Sequence, residues 1–169
     1  MTGFSKPTKS TDSTDVQLTT LMMPLQSDDH LLVPNISMAE LAGNEASTEG
    51  ALEGDPDWIS GYLMWRGQRV PVVRWETLLG QAPLVDSDNR RFAVMNSLYD
   101  DYQGEFYALV IQGIPQSLRV ASDELVVVAE APSPEVLYTV STDRGEATVP
   151  NLQWLEETLG SHAVGMPVQ

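Results

Sequence analysis

The chain has 169 residues, 24 acidic against 9 basic, for a formal net charge of −15, and it has no cysteine. Without cysteine there are no disulfides, thiolate nucleophiles, iron–sulfur ligands or cysteine zinc sites, and a reducing, intracellular, cytoplasmic setting is expected. So acidic a chain is repelled by nucleic-acid phosphates and anionic lipid surfaces, and no run of about 18 apolar residues is present to span a bilayer, so neither nucleic acid nor membrane is an expected partner. The length fits one domain, with 42% hydrophobic residues to fill its core.

In chain order, residues 1–15 are polar, with Lys6 and Lys9 but no apolar stretch, and predict a flexible tail that is neither signal peptide nor anchor. Val16 to Leu41 reads as a β-hairpin turning at Ser27, Asp28 and Asp29. Ala42 to Asp57 predicts an acidic surface loop. Glu45, Glu49 and Glu53 would share a helix face, but they repel one another there, and Gly43, Gly50 and Gly54 each oppose a helix. Trp58 to Gly80 reads as strand, tight turn, strand and short helix. Gly61–Trp65 and Val70–Val73 form its strands, Gly67 its turn, and Trp75–Leu79 its helix, stopped by Gly80. Pro71 cannot donate to a ladder and belongs at an edge or bend. RRFAVMNSL, FYALVIQGIPQSLRV, SDELVVVAE and VLYTVST follow as strands, the last two separated by an irregular APSPE. A helix over Pro150–Leu159 is expected to stop at Gly160, leaving residues 161–169 as a tail. The whole predicts a mainly β fold of short strands.

Chemical motifs are absent: no phosphate loop, no GxGxxG, no GxSxG and no HExxH. His30, in a predicted turn, and His162, in the tail, read as exposed and non-catalytic. Asp86, Asp88 and Asn89 lack the glycine and distal glutamate of a calcium loop. No catalytic residue, metal or cofactor is therefore assigned. Adjacent acids such as Asp100–Asp101 and Glu156–Glu157 keep one competing reading open, a small β-barrel ligand binder or carboxylate-dependent hydrolase, because the separation that matters is spatial. One cluster stands out: Arg66, Arg69 and Arg74 concentrate in a single hairpin and its exit. They form either a cationic docking tip for a carboxylate-bearing partner or pairs with the chain's own acids.

At this hairpin GYLMWRGQRVPVV resembles the CheW-like family of chemotaxis coupling proteins. LLVPNISMAEL, FYALVIQGIPQSLRV and the terminal leucine-rich helix extend the resemblance over residues 16–160. It implies two interlocked five-stranded β-barrel subdomains with a few short helices, and a non-enzymatic adaptor. Such an adaptor bridges the cytoplasmic tip of a methyl-accepting chemoreceptor to the regulatory domain of a CheA-type histidine kinase, in the cytoplasm at membrane-bound receptor arrays. The matching partner-binding positions are Met38, Glu40, Gly61, Arg66 and Gly67, with Met38 and Leu63 expected to line an apolar groove. Arg74, Trp75 and Gln112 depart from the family pattern. LLVPN, WRG and ALVIQGIP look most similar to ChpC-type accessory adaptors of chemosensory pili systems, which act on twitching motility.

Overall fold

Strand β1 (Gln17–Pro24) pairs antiparallel with β2 (His30–Pro34), from Thr20 opposite Pro34 to Pro24 opposite His30. The computed structural model describes residues 17–81, 88–99, 102, 104–121 and 125–162. The expected tail 1–15, most of the tail 161–169, Asp86 and the pair Asp100–Asp101 lie outside them. Asp28 makes the hairpin turn at φ 70°, a conformation that aspartate tolerates better than most side chains. His30 opens β2 rather than sitting in the turn, and it is half-buried rather than exposed.

A 3-10 turn (Asn35–Ser37) leads into β3 (Met38–Ala42). The stretch expected as one continuous acidic loop contains a strand, β4 (Thr48–Gly50), paired antiparallel with β5 (Ile59–Trp65). Gly61 makes that pairing possible, because a Cβ there would collide with the Glu49 carbonyl oxygen. Strand β6 (Gln68–Val73) follows a two-residue turn, and Pro71 precedes the part of β6 that pairs with a second neighbour, so its missing N–H breaks no ladder. Helix α1 (Trp75–Leu78) ends, as expected, before Gly80 at φ 87°.

Strands β7 (Arg90–Asn96), β8 (Phe106–Gln112) and β9 (Gln116–Ala121) come next. FYALVIQGIPQSLRV is thus two strands, separated at Gly113 with φ 97°. Strand β10 (Val126–Ser133) runs into APSPE, where irregular chain was expected. As an edge strand it needs only one partner, and register shifts between Glu130 and Ser133 absorb the mismatch. Strands β11 (Val136–Thr142) and β12 (Gly145–Pro150) complete the β-structure, the latter unanticipated. Helix α2 (Leu152–Ser161) starts two residues later than predicted. The Asn151 side chain accepts from the Trp154 amide at 3.0 Å as its N-cap, and the helix continues through Gly160, the expected stop.

The twelve strands of the described residues form two sheets, ordered β10-β11-β12-β2-β1-β9 and β3-β7-β8-β6-β5-β4. The chain opens the first sheet with β1 and β2, builds the whole second sheet, and returns at β9. On that return β12 pairs parallel with β2, and within the second sheet β6 and β8 also run parallel. A mainly β, two-part interlocked fold is what the resemblance implies, with six strands in each sheet where five were expected.

Alternation along the strands sorts the core into three layers. Phe92 and Val94 of β7, Leu63 and Trp65 of β5, Val70 and Val72 of β6, and Ala108 and Val110 of β8 fill the inner face of the second sheet. Met22, Leu32, Leu118, Val120, Val140 and Ala147 fill that of the first. The alternate residues, among them Ala93, Met95, Tyr107, Leu109, Met23, Leu31 and Val33, meet between the sheets with Leu152, Leu155 and Leu159 of α2. Strands covered on both faces have no polar side, which is why their sequences are unbroken apolar runs.

Candidate partner-binding site

The β5–β6 turn puts a guanidinium at the tip of the second sheet. Trp65 pairs with Gln68, leaving Arg66 and Gly67 as the two central residues, with φ 51° and 75°. Positive φ at both positions is the type I′ signature, whose twist matches a right-twisted hairpin. Gly67 adopts it freely; Arg66 pays the left-handed penalty of an L side chain, about 1–2 kcal/mol. The Arg66 side chain lies over the Trp65 ring at 4.7 Å, and Trp65 packs edge-on against Phe106 at 4.7 Å. That aromatic pair closes this end of the second sheet's inner core.

Two of the expected site residues meet here. Arg66 Nη2 donates to Glu40 Oε1 of β3 at 2.9 Å, with both side chains exposed. Met38, two residues before Glu40, is half-buried and packs against the core between the sheets. Gly61 lies elsewhere, five residues up β5, roughly 16 Å from the turn at strand rise. Leu63 is fully buried in the inner core and cannot line a groove. The exposed apolar side chains near Met38 are ones that the sequence did not single out: Ile36 (70% exposed) and Leu98 (44%). Asn96 Nδ2 donates to the Ile36 carbonyl at 2.9 Å and so joins the 3-10 turn to the end of β7, just before Leu98.

The arginine cluster is largely neutralised by the chain itself. Arg69 pairs with Glu49 at 3.1 Å and lies over the Tyr62 ring, while Arg74 donates to the Gln26 side chain at 2.9 Å. Instead of a uniformly positive tip there are Arg66 and Arg69 in ion pairs at one end of the sheet, with Arg74 set apart from them beside Gln26.

At the sheet's other end the inner face opens into a depression of about 190 Å³, lined by Thr48, Glu49, Gly50, Ser60, Gly61, Tyr62, Val72, Arg74, Arg90 and Phe92. The Tyr62 hydroxyl donates to Asp55 at 2.6 Å, and burial, followed by that hydrogen bond, pushes the phenol well above its usual range.

Two buried acids serve structure. Glu156 of α2, wholly buried, accepts from Ser97 Oγ (2.9 Å), Leu98 N (2.8 Å) and Tyr99 N (2.9 Å), fixing the segment that carries Leu98. Glu76 accepts from the Gln26 amide at 3.0 Å. The two carboxylates hold different loops and form no catalytic pair. His162, exposed as expected, caps α2 and meets Trp58 edge-on at 5.7 Å. Among the described residues no cluster of histidine and acidic side chains could hold a metal, and no helix is long and apolar enough to cross a membrane.

The sequence matches the CheW-like domain over residues 27–153, three quarters of its length. The chain belongs to the CheW-like family. No curated protein matches the chain. Among solved structures, the scaffolding protein TtCheW from Thermoanaerobacter tengcongensis is similar at a TM-score of 0.68 and 16% identity, over 86% of this chain and 96% of that one. The CheW-like family is non-enzymatic.

Proposed function

We propose that this CheW-like protein is a signalling adaptor that couples the cytoplasmic tip of a methyl-accepting chemoreceptor to the regulatory domain of a CheA-type histidine kinase, at cytoplasmic receptor arrays. The observation that carries this reading is Arg66. A left-handed turn position favours Gly, Asn or Asp, yet an exposed arginine occupies it. An exposed ion pair such as Arg66–Glu40 returns only about 0–1 kcal/mol, so stability alone does not account for the choice. A guanidinium pre-set over Trp65 and Glu40 suits recognition of a polar helical tip, with Met38, Ile36 and Leu98 supplying apolar contact. Gly67 permits the turn, and Gly61 acts from a distance by letting β4 close on β5. The similarity of LLVPN, WRG and ALVIQGIP to ChpC-type proteins supports a place among the accessory adaptors of chemosensory pili, acting on twitching motility.

The test is binding of immobilised protein to a purified receptor cytoplasmic hairpin and to the kinase regulatory domain. Arg66→Glu is expected to weaken receptor binding at least about tenfold, the scale of one lost charge-assisted contact, with an unchanged circular dichroism spectrum. Glu40→Arg with Arg66→Glu re-forms the pair in reverse and should not restore binding. Full restoration would make the pair structural only, and a folded wild type that binds neither partner would overturn the adaptor reading. For the pilus assignment the readout is twitching, expected to fall when the gene is deleted.

A further inference from the structure

We infer that Glu156 is a positioning residue for receptor recognition: from inside the fold it holds Leu98 and Tyr99 outward as part of the apolar surface beside the Arg66 turn. The inference rests on the adaptor reading and adds to it a residue that no partner can touch. Helix α2 carries the anomaly. Its inward positions are Leu152, Leu155, Glu156 and Leu159, a stripe at helical spacing whose one polar member is wholly buried. A leucine there would complete the stripe, and taking a carboxylate out of water is costly. A break in a local rule that packing alone would avoid is expected at functional or strained sites.

What the carboxylate holds is a stretch of surface. Its Oε1 accepts from Ser97 Oγ and the Tyr99 amide, both at 2.9 Å, and its Oε2 from the Leu98 amide at 2.8 Å. Successive N–H groups converging on one anion fix the backbone of both residues. The side chains stay outside, Leu98 44% and Tyr99 40% exposed, so burial does not secure them and the carboxylate supplies the order. Just before them, Asn96 ties the exposed Ile36 to the same stretch through its carbonyl. Three large apolar side chains from two separated segments thus stand on a backbone held by hydrogen bonds. Strand β7 delivers them to the end of the sheet that carries the Arg66 turn: Asn96 pairs with Phe106, Phe106 packs on Trp65, and Trp65 lies under the Arg66 guanidinium. The occupant is therefore the receptor tip proposed for Arg66, apolar where it meets Ile36, Leu98 and Tyr99. Ordering these side chains before contact lowers the entropy cost of association, which is how an enclosed group strengthens binding.

Glu156→Leu in the full chain completes the stripe and removes the acceptor. With a wild-type circular dichroism spectrum, hydrogen exchange at the Leu98 and Tyr99 amides of the free protein is expected to quicken at least about tenfold. Binding of the purified receptor cytoplasmic hairpin should weaken about tenfold. Leu98→Ala separates positioning from plain stability: alone it weakens hairpin binding, and on top of Glu156→Leu it adds little, because both act through one side chain. Glu156→Gln keeps the helix contacts and one acceptor oxygen, so it should show both changes at smaller size, and it decides the matter if the leucine variant does not fold. Unchanged exchange at the two amides, wild-type affinity despite fast exchange, or fully additive losses in the double variant would each overturn the inference and leave the adaptor reading standing. A folded wild type that binds no hairpin removes both.

Discussion

At the scale of single residues, this protein spends conformational energy and buried charge in two places with opposite purposes. Arg66 accepts a strained turn and stays exposed, the feature on which the proposed receptor contact rests. Glu156 is wholly enclosed, and each of its oxygens is taken by donors from residues 97–99. Glu156→Ala is expected to cost about 3 kcal/mol in urea unfolding, because two backbone N–H groups and a hydroxyl lose their acceptors in the interior. Glu156→Gln should cost about 2 kcal/mol, since its amide NH₂ must face a donor whichever way it turns. A glutamine variant as stable as wild type would show that these hydrogen bonds do not carry the segment.

The tyrosines add a pH dependence. Burial first, then neighbouring carboxylates, raises the phenols of Tyr62 and Tyr107 far above the ordinary value of about 10, and Tyr102 is pushed up to about 12. Unfolded, all three lose their protons near pH 10; folded, they keep them. The folded state then binds more protons above that pH, so stability is fully present below about pH 10 and falls as pH climbs towards 12. Phenolate absorbance from these residues should rise together with loss of far-ultraviolet circular dichroism. Their ionisation near pH 10 with the fold intact would contradict this.

At the scale of elements, β4 is the most exposed to damage. It is three residues long, exposed throughout, and depends on Gly61 to approach β5. Gly61→Ala is expected to destabilise the fold by about 2–3 kcal/mol and to release β4, seen as fast hydrogen exchange at the Met64 amide, which donates to Ser47. Protection equal to wild type would mean that β4 can shift without detaching. The same strand shows where sequence reading fell short. Its residues, Thr48, Glu49 and Gly50, carry no apolar pattern; they pair because β5 offers an open edge, which only the tertiary fold creates. Strand β12 was missed for a similar reason, since GEATVP is short and ends in proline, and β10 was cut early because the two prolines of APSPE looked like breakers when no neighbour was there to define an edge. By contrast, the β1–β2 hairpin, the Arg66–Gly67 turn and the Gly80 stop were legible, because each rests on local backbone chemistry. For the candidate site, Arg66 and Glu40 could be named from the motif, while their contact, and the Ile36–Leu98 surface beside them, could not. Those depend on how β3 and β7 are brought to the β5–β6 turn.

At the scale of the whole molecule, the two sheets share one core and each keeps another of its own. The first sheet takes its strands from both ends of the chain, with β1 beside β9 and β2 beside β12. That arrangement has a consequence during synthesis. The β1–β2 hairpin leaves the ribosome with both of its edges unpaired, and β9 begins at Gln116, 82 residues after Pro34. At roughly 5–20 residues per second the wait for a first lasting partner is about 4–16 s, and for β12 it is longer still. For those seconds a nascent chain displays a bare hairpin whose Met22, Met23, Leu31 and Leu32 belong to two cores that do not yet exist. The stretch most in need of a chaperone in the cell is therefore the hairpin made before its partners, and a transcript cut short before β9 yields a polypeptide with nowhere to put it.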